Sequence, residues 1–398
     1  MVEAVLPVQD TGFSTNFSVD YRFAVRFTDQ LFALDNPTLY EVLTEREPLR
    51  RHRLMFFIDD SVARAYPELF GDITAYARAR GAVLELVAPP ETLPGGEASK
   101  NDPDLVRRLQ LRLVELGIDR HSFVVAIGGG AFLDFVGYAA ATTHRGVRHI
   151  RIPTTVLAQG DSGVGVKNGV NAFGIKNLIG SFAPPFAVLN DHRFIERLPA
   201  RDIRAGVAEA VKVSLIRDAE FYHYMESRTA EELLDPRGAA LRYVIRRAAE
   251  LHARQIATGG DPFEAGSARP LDYGHWVAHK LEILTNHALR HGEAVAIGMA
   301  LDARYSARTG LLREGEDHRI CRLLQRLGFA LWHPALEALT PYGEYAVLAG
   351  LREFREHLGG ELTITLLAAI GRGVEVHAMN AAAIVEAIGW LKGSFSCA

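Results

Sequence analysis

Three histidines, His275, His279 and His291, fall in one short stretch of an otherwise unremarked helical sequence. His275 and His279 are four apart, so on a helix they share a face. His291 follows a break at Asn286-His287 and leads into Gly292-Glu293. Neutral imidazole is the commonest protein ligand for zinc, which gives three such rings a reason to converge. An i,i+4 histidine pair also arises on helices that touch no metal, and the spacing to His291 is not a closed finger pattern. A carboxylate bears on the choice. Glu209 and Lys212 stand three apart in AGVAEAVKVSLIRD (205–218). Such a pair is usually a surface ion pair. Its alanine and valine neighbours instead predict a cleft, and Glu209 with His275 and His291 would form a two-histidine, one-carboxylate zinc site with open positions.

A second constellation suits a phosphate-bearing ligand. Gly128, Gly129 and Gly130 follow the apolar run SFVVAI and precede a small-residue helix. Glycine there lets backbone approach a pyrophosphate at a helix N-terminus, although tight packing would also use it. Asp59, closing the run RLMFFID, could accept from a ribose hydroxyl, as could Glu97 with Lys100 close behind. Residues 153–182 read as one long polar loop carrying Thr154, Thr155, Asp161, Ser162, Lys167, Asn168, Asn171, Lys176 and Asn177. Loops of that length in a compact domain are usually functional, and lysines beside asparagines suit a phosphorylated substrate.

These residues need elements to hold them. From Arg53 a β-α rhythm begins: strands at 53–59, 82–89, 122–130, 149–155 and 186–191, with helices at 61–80 and 105–117 and another after 130. Residues 17–28 suggest a further strand or hairpin. Continuous apolar runs alternating with helices predict a doubly wound α/β domain with a parallel sheet. From Asp202 helical periods dominate, at 202–217, 219–234, 236–258, 272–285, 291–309, 313–327, 343–357 and 380–392, with short strands expected in 362–371. The expected division is a dinucleotide-binding α/β domain over 1–197 and a helical metal and substrate domain over 198–398.

Composition narrows the class. A chain of 398 residues, 48% hydrophobic and 23% charged, is ordinary globular material with room for two cores. Net charge −4 and the lack of a basic run give no reason to expect nucleic acid. No apolar stretch approaches the roughly 20 residues of a membrane span. The N-terminus does not read as a signal peptide, and Cys321 and Cys397 make no disulfide framework, so a cytoplasmic protein is expected.

Taken together, the motifs resemble those of the sugar phosphate cyclases, the group built around 3-dehydroquinate synthase. They are GE-x-x-K (96–100), GGG-x-x-x-D (128–134), RG (145–146), IPTT-x-LA-x-x-D (152–161), VGVK (164–167), KN (176–177), AE-x-x-K (208–212), DYGH-x-x-x-H (272–279) and HGEAVAIGM (291–299). The likeness runs over roughly residues 50–375. It implies NAD in the α/β domain, zinc or cobalt in the helical domain, an active site between them, and a homodimer. It assigns the metal to Glu209, His275 and His291, and leaves His279 facing substrate. Lys167, Asn177 and Arg145, the last from its own or a partner subunit, would hold phosphate. Lys212 would meet substrate hydroxyls or charge. Asp59, Glu97, Lys100, Gly128, Gly129, Gly130, Asp134, Thr154, Thr155, Asp161, Ser162 and Lys176 would contact NAD. The implied chemistry is transient oxidation of a ring hydroxyl, phosphate elimination, re-reduction, ring opening and an intramolecular aldol.

Departures from the dehydroquinate pattern concern the substrate. Ala268 stands where an arginine would meet a carboxylate, Asp272 where asparagine is usual, and Arg254 where lysine is usual. REHLGG (355–360), with His357, replaces an expected Asp-Lys-Lys. An aspartate facing a substrate carboxylate costs several kcal/mol unless paired or protonated. LDYGHW and EFREHLGG look like the branch acting on sedoheptulose 7-phosphate, the valiolone-type cyclases. Arg254 and Arg269 could still bind a carboxylate, which keeps 3-dehydroquinate synthase as the alternative. A glycerol-dehydrogenase-like oxidoreductase is a third reading, disfavoured because a plain polyol needs no phosphate clamp.

Overall fold

A computed structural model describes residues 14–264, 270–357 and 361–395. Ala268, Arg269 and Cys397 lie outside the described residues, as does the side chain of His357. The first half is built on a parallel sheet of β1 (Ala24–Thr28), β2 (His52–Asp59), β3 (Leu84–Leu86), β4 (Glu91–Leu93), β5 (Phe123–Gly128), β6 (Arg148–Pro153) and β9 (Ala187–Asp191). Between β6 and β9 the chain makes an antiparallel hairpin of β7 (Lys167–Ala172) and β8 (Ile175–Phe182). The sheet order is β1-β9-β6-β5-β2-β3, with β4 also on β2.

Alternation along each strand buries both faces. Leu54, Phe56, Ile58, Phe123 and Val125 pack on one side with Leu39, Leu43, Ile73 and Tyr76 of the helices Thr38–Thr44 and Leu69–Ala79. Met55, Phe57, Val124 and Ala126 pack on the other with the helices Pro103–Glu115 and Gly130–Thr142. From β2 the chain steps outward to β3 and β4. From β5 it steps the other way, to β6 and β9. The topological switch therefore lies between β2 and β5, the position at which doubly wound sheets open a ligand crevice beyond their strand ends.

The second half is helical, apart from the antiparallel pair β10 (Ile364–Ala369) and β11 (Arg372–Val376). The helices Ala200–Arg217, Ala239–Thr258, His275–Leu284 and His291–Arg308 share one core around Val207, Val211, Ile245, Trp276, Val295 and Met299. Two glycines let backbones touch there. A β-carbon on Gly292 would lie 2.1 Å from the Ala205 carbonyl oxygen, and one on Gly298 would lie 2.0 Å from that of Gly274. The helix carrying His291 is thus pressed against both the helix carrying Glu209 and the turn before His275.

Several expectations need correction. The helix expected over 61–80 is two, Asp60–Ala65 and Leu69–Ala79, because Pro67 cannot continue a helical ladder. The helix over 219–234 divides at Ser227-Arg228, where Thr229 and Glu232 form a capping box for Ala230–Leu234. Residues 153–182 are not one loop. A π-helical turn, Ala158–Ser162, precedes the β7–β8 hairpin, whose reversal at Phe173-Gly174 has φ of 52° and 75°. Two consecutive positive φ values make the tight turn that matches strand twist. Asn168, Asn171 and Asn177 give the hairpin strands little of the hydrophobic alternation by which a sequence declares a strand. In 17–28 only Ala24–Thr28 is strand, paired with β9.

Candidate active site

Glu209 is buried on the helix Ala200–Arg217, and two imidazoles face it. His291 Nε2 is 3.3 Å from Glu209 Oε1, and His275 Nε2 is 3.9 Å from the same oxygen. The other nitrogens are occupied. His275 Nδ1 is 3.1 Å from the Tyr273 carbonyl oxygen, and His291 Nδ1 is 3.4 Å from Glu282 Oε2. Both rings therefore turn Nε2 toward Glu209. Gly274, in the left-handed region at φ 77°, starts the His275 helix, and its N–H donates to the fully buried Asp302, as does Trp276 Nε1. The ring of His279 stands 5.3 Å from that of His275, on the cleft side.

Charge in this cluster is strongly biased. Burial disfavours ionised Glu209, but Lys212, with His291 and His275, outweighs it and holds the carboxyl well below its usual range. Burial likewise opposes the charge on His291, yet the bonds to Glu209 and Glu282 push it up to about 9. His275 goes the other way, lowered by burial and by Lys212. Lys212 Nζ pairs with Glu209 Oε2 at 2.5 Å, which leaves Oε1 to the two histidines. A buried anionic carboxylate with one oxygen facing two Nε2 atoms fits a divalent cation. The 3.3 and 3.9 Å from Glu209 Oε1 to the two Nε2 atoms are close to the spacing of about 3.3–3.5 Å between ligands of a tetrahedral zinc.

The nucleotide-side residues gather at the switch point. Asp59 ends β2, caps the next helix through Ser61 N, and packs against Gly95 so closely that a β-carbon there would lie 2.0 Å from its carboxylate. Gly128 ends β5, and Gly129 and Gly130 open the next helix. A β-carbon on Gly130 would lie 2.6 Å from Ser162 Oγ, a buried hydroxyl without a partner. Thr154 N donates to the Gly128 carbonyl at 3.0 Å, and Thr155 Oγ1 accepts from Ala158 N. Bare helix N–H groups, a side-chain-free cradle and an orphaned hydroxyl fit a pyrophosphate.

Lys100, almost wholly buried, ties the crevice to the hairpin. Its Nζ is 2.9 Å from Asp134 Oδ2 and 3.9 Å from Glu97 Oε1, and it also donates to Asn177 Oδ1. Asn171 joins the same knot, donating to Glu97 Oε1 and accepting from Asn177 N. Lys176, expected to contact NAD, lies 3.6 Å from Glu282 Oε1 on the metal side. Lys167 is exposed and pairs with Glu264 at 2.5 Å. Arg254 is exposed at the end of its helix. Arg145 is exposed on the turn entering β6, at the other end of that strand from Pro153 and Thr154.

Asp272 is two residues from Gly274, at the mouth between hairpin and metal cluster. Burial opposes its ionisation, but His275, Lys167 and Lys212 hold its carboxyl below the usual range. Three further residues were missed in the sequence. His252 Nδ1 pairs with Asp161 Oδ1 at 2.7 Å across ninety-odd residues, a separation no local pattern spans. Arg151, fully buried in β6, donates to the carbonyls of Gly163, Gly165 and Lys167 and to Asn168 Oδ1, and so fixes the turn before Lys167. Glu282 was findable, being seven residues after His275 on the same helix face.

Comparison with known proteins agrees with this geometry. Family models for the 3-dehydroquinate synthase N-terminal and C-terminal regions match residues 91–205 and 206–346. A 3-dehydroquinate synthase from Cereibacter sphaeroides is 37% identical over 81% of this chain and 85% of its own length. The chain belongs to the 3-dehydroquinate synthase family. Members of this family are sugar phosphate cyclases, carbon–oxygen lyases, and this chain is one of them. A 2-epi-5-epi-valiolone synthase from Streptomyces glaucescens is 34% identical over 90% of this chain and 88% of its own length. The solved structure of ValA, the 2-epi-5-epi-valiolone synthase of Streptomyces hygroscopicus subsp. jinggangensis 5008 with NAD+ and Zn2+ bound, superposes with a TM-score of 0.83. It is 29% identical and covers 96% of this chain and 99% of that one. The doubly wound sheet and helical second half are the fold of this family. Among the described residues, no helix is long and apolar enough to cross a membrane.

Proposed function

We propose that this cyclase acts on sedoheptulose 7-phosphate, eliminating its phosphate and closing a valiolone-type cyclitol, with NAD and zinc bound. The observation that carries this reading is the place of Asp272 beside His275, Lys167 and Lys212, whose charges hold its carboxyl below the usual range. A substrate carboxylate placed there would meet a like charge, at a cost of several kcal/mol. A heptulose phosphate has none, and its hydroxyls can donate to Asp272.

Each remaining residue has work in this scheme. Glu209, His275 and His291 would hold the metal, which supplies Lewis acidity toward substrate oxygens. Asp59, the Gly128–Gly130 turn, Ser162, Lys100, Glu97 and Asp134 would orient the dinucleotide, with Thr154, Thr155 and Asp161 bordering it. Lys167 and Asn177 bind the phosphate, and Lys212 stays protonated to hold the substrate's oxygen atoms. His279 faces the cleft as a proton donor and acceptor. Arg145, exposed on the turn entering β6, would serve the phosphate of a partner in a homodimer. The α/β and helical units divide between the end of β9 at Asp191 and the helix from Ala200.

The alternative, 3-dehydroquinate synthase, is favoured by relatives bearing that name at 37% identity. Phosphate release is measured with NAD, zinc and either sedoheptulose 7-phosphate or the corresponding 3-deoxy heptulosonate phosphate. Turnover of the heptulose alone is expected. Turnover of the heptulosonate alone would establish the alternative. Net NADH accumulation without phosphate release would indicate an oxidoreductase instead.

A further inference from the structure

Glu282 lies one helical turn beyond His279, with its side chain only 7% exposed. Burying a carboxylate is costly unless it is paired and hydrogen-bonded. Its two oxygens face two cations or donors: Oε2 is 3.4 Å from His291 Nδ1, and Oε1 is 3.6 Å from Lys176 Nζ. The same imidazole turns its Nε2 to Glu209 Oε1 at 3.3 Å. One ring thus stands between two buried carboxylates. When Nε2 gives its lone pair to a cation, the proton of the neutral ring must sit on Nδ1, facing Glu282.

We infer that Glu282 is the positioning carboxylate of the metal centre. It accepts the Nδ1–H of His291, selects the tautomer whose Nε2 is free, and holds the ring plane against Glu209. His275 is fixed in the same sense by a different acceptor, the Tyr273 carbonyl. Lys176, carried on β8, caps the second oxygen of Glu282, so the hairpin helps set where that acceptor points. The competing assignment makes Glu282 a direct ligand, since His279, Glu282 and His291 also bring ligand atoms within 4.8 Å of one another. That arrangement would spend Nδ1 of His291 on the metal and leave Glu209 Oε1, with two Nε2 atoms turned to it, outside the ligand set.

This assignment rests on the Glu209–His275–His291 reading, and the test separates the two. Apo protein is titrated with Co2+, following the visible d–d absorption, for the unaltered chain and for Glu282→Gln, Glu282→Asp and Glu209→Gln. Glu282→Gln is expected to bind cobalt about 10–100-fold more weakly, as loss of an outer acceptor does, with band positions unchanged. Glu282→Asp, keeping the charge, is expected to recover part of that loss. The apo melting temperature separates metal affinity from folding. Unchanged cobalt affinity in both Glu282 variants would overturn the assignment, as would a d–d spectrum showing one ligand fewer. Full affinity in Glu209→Gln would overturn the underlying metal centre and this role with it.

Discussion

Lys212 Nζ lies 2.5 Å from Glu209 Oε2, both side chains being almost wholly buried in the helical domain. The pair leaves Oε1 to the two histidines, so a cation held by them would share one carboxylate with the lysine. Removing one partner of a buried pair strands a charge and costs about 3–5 kcal/mol. Lys212→Met should therefore destabilise the apo protein by roughly that amount. Zinc should restore much of it, because the cation supplies the missing positive charge. Thermal melts with and without zinc check this, and equal losses in both states would contradict the shared-carboxylate arrangement.

His279 is on the metal helix but its ring faces the cleft, 5.3 Å from the His275 ring. Replacing it with alanine should leave zinc stoichiometry intact while lowering kcat by about 100–10,000-fold, the usual range for a proton-transfer group. Metal analysis of the purified variant beside its turnover decides the point. Loss of zinc would return His279 to the ligand set.

Much of this layout could be read from the chain because its signals are local. The apolar runs ending at Asp59 and Gly128 fixed two sheet strands, and the i,i+4 pair His275/His279 marked a helix face. What stayed hidden depends on tertiary contact. Asp161 meets His252 only because the π-helical turn and the helix Ala239–Thr258 pack together. Lys176 and Asn177, adjacent in sequence, point to different clusters because successive strand residues face opposite sides. A polar hairpin such as β7–β8 carries little of the hydrophobic contrast by which strands are recognised.

Asp272 offers a test of substrate choice. If its charge repels a carboxylate, Asp272→Asn should raise the ratio of kcat/KM for the heptulosonate phosphate over the heptulose phosphate by at least about tenfold, equal to about 1.4 kcal/mol. Steady-state phosphate release with both substrates gives the ratio directly. An unchanged ratio would locate the discrimination elsewhere in the cleft.

Asp302 predicts an unusual pH dependence of stability. It is fully buried beneath the Gly274 turn, and desolvation pushes its carboxyl up to about 7 despite the bonds from Trp276 and Gly274. In the unfolded chain an aspartate titrates near ~3.9. Between these values the folded state holds the extra proton, so the contribution of this group is complete at low pH and is lost as pH rises through about 7. The slope approaches a loss of about 1.4 kcal/mol per pH unit in the middle of that window. Asp302→Asn cannot ionise and should flatten the fall in apo-protein stability between pH 5 and 7, whatever it does to the absolute value. Denaturant melts across that range supply both slopes. Parallel curves would mean that the carboxyl stays ionised in the folded protein, and that Trp276 and Gly274 alone sustain a buried charge beneath the metal-binding turn.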